Sequence, residues 1–138
     1  MLPPALLLLL ASCAPPAPAL HVDNARIVPA GASAAAYLDL ANDGGADRLV
    51  AVEAPGIGEA SLHSTTMEGG IMRMRPLPDG LAVGGGATVK LAPMGTHIMI
   101  EGLSRRLVVG EHVPLVLKFE RQGEVRTEAL VGSTGAAH

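Results

Sequence analysis

The chain has 138 residues, 49% of them hydrophobic, a formal net charge of −3 and only two aromatic side chains, Tyr37 and Phe119. That is the length of one domain, and without basic excess or stacking rings it excludes a single-strand nucleic-acid groove and an aromatic cage for a cationic ligand. Seventeen glycines and eleven prolines interrupt the sequence too often for a helical bundle and favour short strands joined by turns.

In chain order, Ala5 to Ala11 is an apolar run. It is too short to span a bilayer, which takes about 20 residues, and reads as the hydrophobic part of a secretory signal. It ends in Leu10-Ala11-Ser12-Cys13, which resembles the lipobox of bacterial lipoproteins. The resemblance implies a signal peptide over residues 1–12 and lipidation of Cys13, the sole cysteine, which would anchor the product to a membrane. Met1-Leu2-Pro3-Pro4 lacks the basic residues that open such signals, so that region is missing or the true start lies upstream. The competing expectation is cleavage after Ala17-Pro18-Ala19 and release of a soluble protein. Either way the product is expected to be extracytoplasmic, in the periplasm. Residues 13–20, rich in Ala and Pro, are expected to form a tether, residues 21–133 the folded domain, and residues 134–138 a disordered tail. With Cys13 lipidated no disulfide can form, and the core alone must hold the fold.

Several short apolar segments follow the tether. Ala34 to Ala41 alternates, with Ala36, Leu38 and Leu40 on one face and Tyr37 and Asp39 on the other, before the turn Asn42-Asp43-Gly44-Gly45. Arg48 to Glu53 is a short strand closed by Ala54-Pro55-Gly56. Ala60 to His63 and Ile71 to Leu77 flank Glu68-Gly69-Gly70 as a hairpin. A small strand lies between Pro78-Asp79-Gly80 and Gly84-Gly85-Gly86; Thr88 to Leu91 and His97 to Glu101 flank Pro93-Met94-Gly95. Val113, Leu115, Leu117 and Phe119 alternate, Gln122-Gly123 turns, and Glu124 to Val131 returns. Strands at this spacing with no helical stretch predict an all-β fold, an antiparallel β-sandwich or Greek-key barrel.

Enzyme signatures are absent. The sequence holds no nucleophile elbow, no phosphate loop and no H-E-x-x-H, and the triple glycine precedes a strand where a phosphate cradle needs a helix. The prominent feature is sulfur without thiol. After Met1, every methionine lies between 67 and 99: Met67, Met72, Met74, Met94 and Met99. His97 falls in that window and His63 just before it. Methionine is a good core filler, so packing is the ordinary reading of each one alone. As a set they say more. Residues i and i+2 share a strand face, which turns His97 and Met99 away from Ile98 and Ile100, and gathers Met72 and Met74 opposite Arg73 and Arg75. Thioethers are soft and neutral and suit Cu(I). Zinc sites use thiolate, imidazole or carboxylate, and a blue-copper site needs a thiolate that Cys13 cannot supply as an anchor.

Asp47-Arg48-Leu49-Val50, His63, Met72-Arg73-Met74-Arg75-Pro76 and His97-Ile98-Met99 together resemble the extracytoplasmic bacterial copper chaperones called PCuAC, whose signature is a His, ten residues, a Met, a longer gap and His-x-Met. Here ten residues separate His63 from Met74, and twenty-two separate Met74 from His97. The resemblance runs from about His21 to Val131. It implies a cupredoxin-like sandwich with His63, Met74, His97 and Met99 as Cu(I) ligands. It also implies that copper passes to an acceptor, the dinuclear copper centre of a cytochrome c oxidase subunit or a Sco-type protein; a monomer is expected, and, from the absent motifs, no enzymatic activity. Two departures stand out. Asp23-Asn24-Ala25-Arg26 replaces a stretch that often carries Trp in the family, and Met94 sits in a turn that is commonly Gly-rich there. Met94 is expected to pack in its loop, with a rim sulfur as the alternative; Met67 is expected to pack, and Met72 is open. His21, His112 and His138 are expected to be solvated, with weak Cu(II) binding by His21 or His138 as the alternative. Copper sequestration without delivery and a metal-free structural sandwich remain the alternatives.

Overall fold

The computed structural model describes residues 16–132. The expected signal, Cys13, the tail and His138 lie outside the described residues. Ten strands and no helix occur among those described: β1 Leu20–Ala30, β2 Ser33–Asn42, β3 Asp47–Glu53, β4 Glu59–Glu68, β5 Ile71–Pro76, β6 Leu81–Val83, β7 Thr88–Leu91, β8 His97–Glu101, β9 His112–Phe119 and β10 Gly123–Val131. They join in the order β5-β4-β8-β2-β1-β10-β9-β3-β6, with β7 also paired to β2. The connections β2 to β3 and β8 to β9 cross between the two halves, as in a Greek-key sandwich. The expected β-sandwich is therefore the fold.

One pairing departs from the antiparallel expectation. β1 and β10 run parallel through Arg26↔Leu130 and Ile27↔Val131. Parallel neighbours need a long crossover, and here the whole domain intervenes between the first strand and the last. Two strands also exceed what their patterns suggest. β1 had no regular alternation because Asp23-Asn24-Ala25-Arg26 holds a register shift, with Asn24 at φ 54°. β4 continues through Ser64-Thr65-Thr66 because its far half projects beyond the core, where neither face needs apolar residues.

The core follows the alternation. Ala34, Ala36, Leu38 and Leu40 of β2, Ile98 and Ile100 of β8, and Val113, Leu115, Leu117 and Phe119 of β9 belong to one buried cluster. Each fully buried Leu or Ile contributes about 1.5–3 kcal/mol, and the cluster reaches this size with Phe119 as its one aromatic ring. Pro16 to Ala19, expected within the tether, lies against the turn after β2. The Gly45 amide donates to the Ala17 carbonyl at 3.0 Å, and the Asp43 amide to the Ala19 carbonyl at 3.0 Å. Gly44 and Gly45 permit this approach, since a Cβ at either would strike the backbone of residues 16–19.

Candidate metal centre

β8 is an interior strand, flanked by β4 on one side and β2 on the other. Leu62, Ile98 and Ile100 turn into the core, so the neighbouring odd-numbered residues face outward. The β4–β8 register sets His63 directly across from His97 and Ser61 across from Met99. The β4–β5 register sets Thr65 across from Met74 and Met67 across from Met72. The two imidazoles stack with centroids 6.2 Å apart and planes inclined by 21°. Met99 is one pleat from this pair in one direction and Met74 one pleat away in the other. Both are diagonal neighbours of His63, at the roughly 7–8 Å spacing that long side chains span. His63 is thus the hub of the four predicted residues, and folding brings together donors scattered over thirty-seven positions of chain.

Exposure differs sharply among them. Met74 is 51% exposed, whereas His97 is only 5% exposed. The sequence placed His97 on the face opposite the isoleucines, which is correct, but gave no hint that it would be covered. Its cover includes Tyr37 of β2, whose ring centroid lies 6.4 Å from that of His97. The Arg26 guanidinium sits 5.4 Å above the Tyr37 ring, and its buried Nε has that ring, not a hydrogen-bond acceptor, for company. Tyr37, Ser61 and the Gly95 carbonyl are the neighbours that sequence reasoning missed. Only the outward parity of Tyr37 signalled any of them.

The hydrogen bonds define which nitrogens are free. Nδ1 of His97 lies 3.0 Å from the Gly95 carbonyl oxygen. A carbonyl only accepts, so Nδ1 carries the proton and the Nε2 lone pair is available to a metal, the usual way a backbone carbonyl orients a ligating imidazole. Nε2 of His63 lies 2.9 Å from the Ser61 hydroxyl. Ligation through that nitrogen would turn the hydroxyl away, at about 0.5–1.5 kcal/mol for the lost bond.

Burial also decides the role of the other methionines. Met67 is 61% exposed, Met72 51% and Met94 65%. The expectation that Met67 and Met94 pack is therefore wrong: β4 outruns the core at Met67, and Met94 caps an exposed turn. No group of three or more His, Cys, Asp or Glu side chains converges among the described residues, so the His63–His97 pair finds no third ligand of those types there. His21 lies 3.3 Å from Asp43 in an exposed pair, and His112 is exposed at the start of β9; neither is near the His63–His97 pair in register. No helix among the described residues is long and apolar enough to cross a membrane.

The family profile described as "Putative lipoprotein LpqE-like" matches residues 20–131, nearly all of the described domain. The chain belongs to this family. A curated relative, "Putative lipoprotein Lxx21020" of Leifsonia xyli subsp. xyli (strain CTCB07), is 32% identical over 101 residues, 72% of this chain. The chain spans 61% of that relative's length. Among solved structures, Cu(I)-bound DR1885 from Deinococcus radiodurans is 28% identical with a TM-score of 0.64, covering 92% of this chain and 84% of that one. The apo PCuAC domain from PmoF1 is 25% identical with a TM-score of 0.67, covering 83% and 93%. The resemblance to PCuAC domains read from the sequence is thus matched by the fold of this LpqE-like protein.

Proposed function

We propose that the protein is an extracytoplasmic Cu(I) chaperone, held at a membrane through lipidated Cys13, that carries its ion between His63, Met74, His97 and Met99. The observation that carries this reading is the register-opposed His63–His97 pair with a thioether diagonal to His63 on either side. Copper is cargo here. Two imidazoles and two neutral thioethers suit Cu(I) and leave hard divalent ions poorly held. Without a thiolate's charge the site binds less tightly than a paired-cysteine acceptor, so the ion moves downhill by stepwise ligand exchange. The exposed Met74 is the donor an incoming ligand can replace first, while the covered His97 releases last. A thiol-bearing protein of the Sco type, or the dinuclear copper centre of cytochrome c oxidase, fits the acceptor role, and the protein acts as a monomer without catalysing a reaction.

Competition against a Cu(I) chelator tests the site. The Met74→Leu, Met99→Leu double variant should lose Cu(I) affinity by more than about tenfold, equivalent to about 1.4 kcal/mol, while its fold persists; unchanged affinity rejects the assignment. Delivery is separated from storage by mixing the loaded protein with an apo acceptor. Retention of copper by the LpqE-like protein would leave sequestration as its role.

A further inference from the structure

Three exposed thioethers remain beside the site just described. Met67 of β4 and Met72 of β5 are directly opposed across the hairpin. Directly opposed residues bring their Cβ atoms to within about 4.5–5.5 Å, so two flexible thioethers can close on one ion. They lie on the same face as Met74 and His63, by the alternation of β5 and β4. Met94 belongs to the adjoining turn, which is tied to this hairpin by the Thr65 amide donating to the Gly95 carbonyl at 3.2 Å. Its backbone is left-handed, at φ 70°, a conformation costing roughly 1–2 kcal/mol for a residue with a Cβ. Packing does not account for any of the three. The charged residues of the hairpin do not compete: Glu68, Arg73 and Arg75 project from the opposite face and pair with one another at 3.4 Å or less.

We propose that Met67, Met72 and Met94 form a second, thioether-only Cu(I) station that loads the histidine site through Met74. This inference rests on the copper reading above and deepens it. Three neutral sulfurs select a soft monovalent ion. Lacking imidazole, they hold it more loosely than His63 and His97 do, so transfer toward the histidines is downhill. Each step exchanges one Cu–S bond for another or for a Cu–N bond. The ion stays Cu(I), and no proton moves with the thioethers, which carry none.

The test is anaerobic titration of the chain, labelled at its methionine methyl groups, with Cu(I) supplied as its acetonitrile complex and followed by NMR. The wild type should fill a tight equivalent that shifts Met74 and Met99, then a weaker one that shifts Met67, Met72 and Met94. Met67→Leu, Met72→Leu should abolish the weaker equivalent, leave the affinity of the tight one unchanged and slow its filling. Met94→Gly, which relieves the backbone and cannot disturb the fold by crowding, should weaken the second equivalent alone. Unshifted Met67 and Met72 methyls through the second equivalent, or retention of both equivalents by the double variant, would overturn the station. Response of Met67, Met72 and Met94 with none at Met74 and Met99 would support a thioether site and overturn the histidine site instead.

Discussion

Met94 sits within a short turn and His97 just after it, and the two show how differently single residues are constrained. The Gly95 amide donates to the Ala92 carbonyl at 3.1 Å, so Ala92-Pro93-Met94-Gly95 is a turn with Pro at its second position and φ 70° at its third. That third position is the one glycine fills at no steric cost. Met94→Gly is therefore expected to leave stability unchanged or raise it by up to about 1 kcal/mol, measured as the urea midpoint at constant slope. The turn also fixes His97, because the Gly95 carbonyl it presents holds the Nδ1 proton. The facing of the proposed donors was legible in the sequence: the alternation of His97, Ile98, Met99 and Ile100 told which pairs share a face. The covering of His97 by Tyr37 was not, because β2 and β8 are far apart in sequence and meet only through the sheet.

The β4–β5 hairpin carries His63 and Met74 of the proposed site and is also the sheet's outer edge, since β5 has one strand neighbour. Every residue of β5 is exposed. An exposed edge strand templates pairing with other chains unless charge blocks it, and Arg73 and Arg75 provide that charge. Their exposed pairs with Glu68 contribute only about 0–1 kcal/mol. The double substitution Arg73→Val, Arg75→Val should thus change the melting temperature little, yet produce concentration-dependent association visible by light scattering. A variant that remains monodisperse would show that another feature guards the edge. The sequence located this hairpin by its Gly69-Gly70 turn but shortened β4. Ser64 to Thr66 carry no apolar period because they flank no core, and periodicity reports burial, not hydrogen bonding.

At the scale of the molecule, the start of β3 is fastened to the β9–β10 turn by Asp47. One carboxylate oxygen accepts from the Arg48 amide at 2.7 Å and the Arg121 amide at 2.8 Å, and the other from the Gln122 amide at 2.9 Å. Burial alone would raise its pKa, but these three amides, aided by the Arg121 charge, outweigh it and hold the group below its ordinary value of 3.8. A depressed native pKa stabilises the fold above the unfolded value and loses that contribution as pH falls through the native one. Acid should therefore weaken the wild type progressively below about pH 4. Asp47→Asn, which turns a donor toward amide donors, should cost about 1–3 kcal/mol at neutral pH and flatten that acid dependence in denaturation curves. Copper affinity of the folded variant should be unaltered, since Asp47 belongs to β3, which pairs with neither β4 nor β8.

The sequence alone determined that the folded domain is all-β, that its core is aliphatic, and that its distinctive side chains are imidazole and thioether. Each of these depends on composition or on a period of two along one strand, which is local information. Only the tertiary structure decided that His63 stands opposite His97, that Met74 and Met99 lie diagonal to His63 on either side, and that Met67, Met72 and Met94 reach solvent. Register between strands is set by turns and by packing against a shared core, and a slip of one residue would turn every donor to the other face.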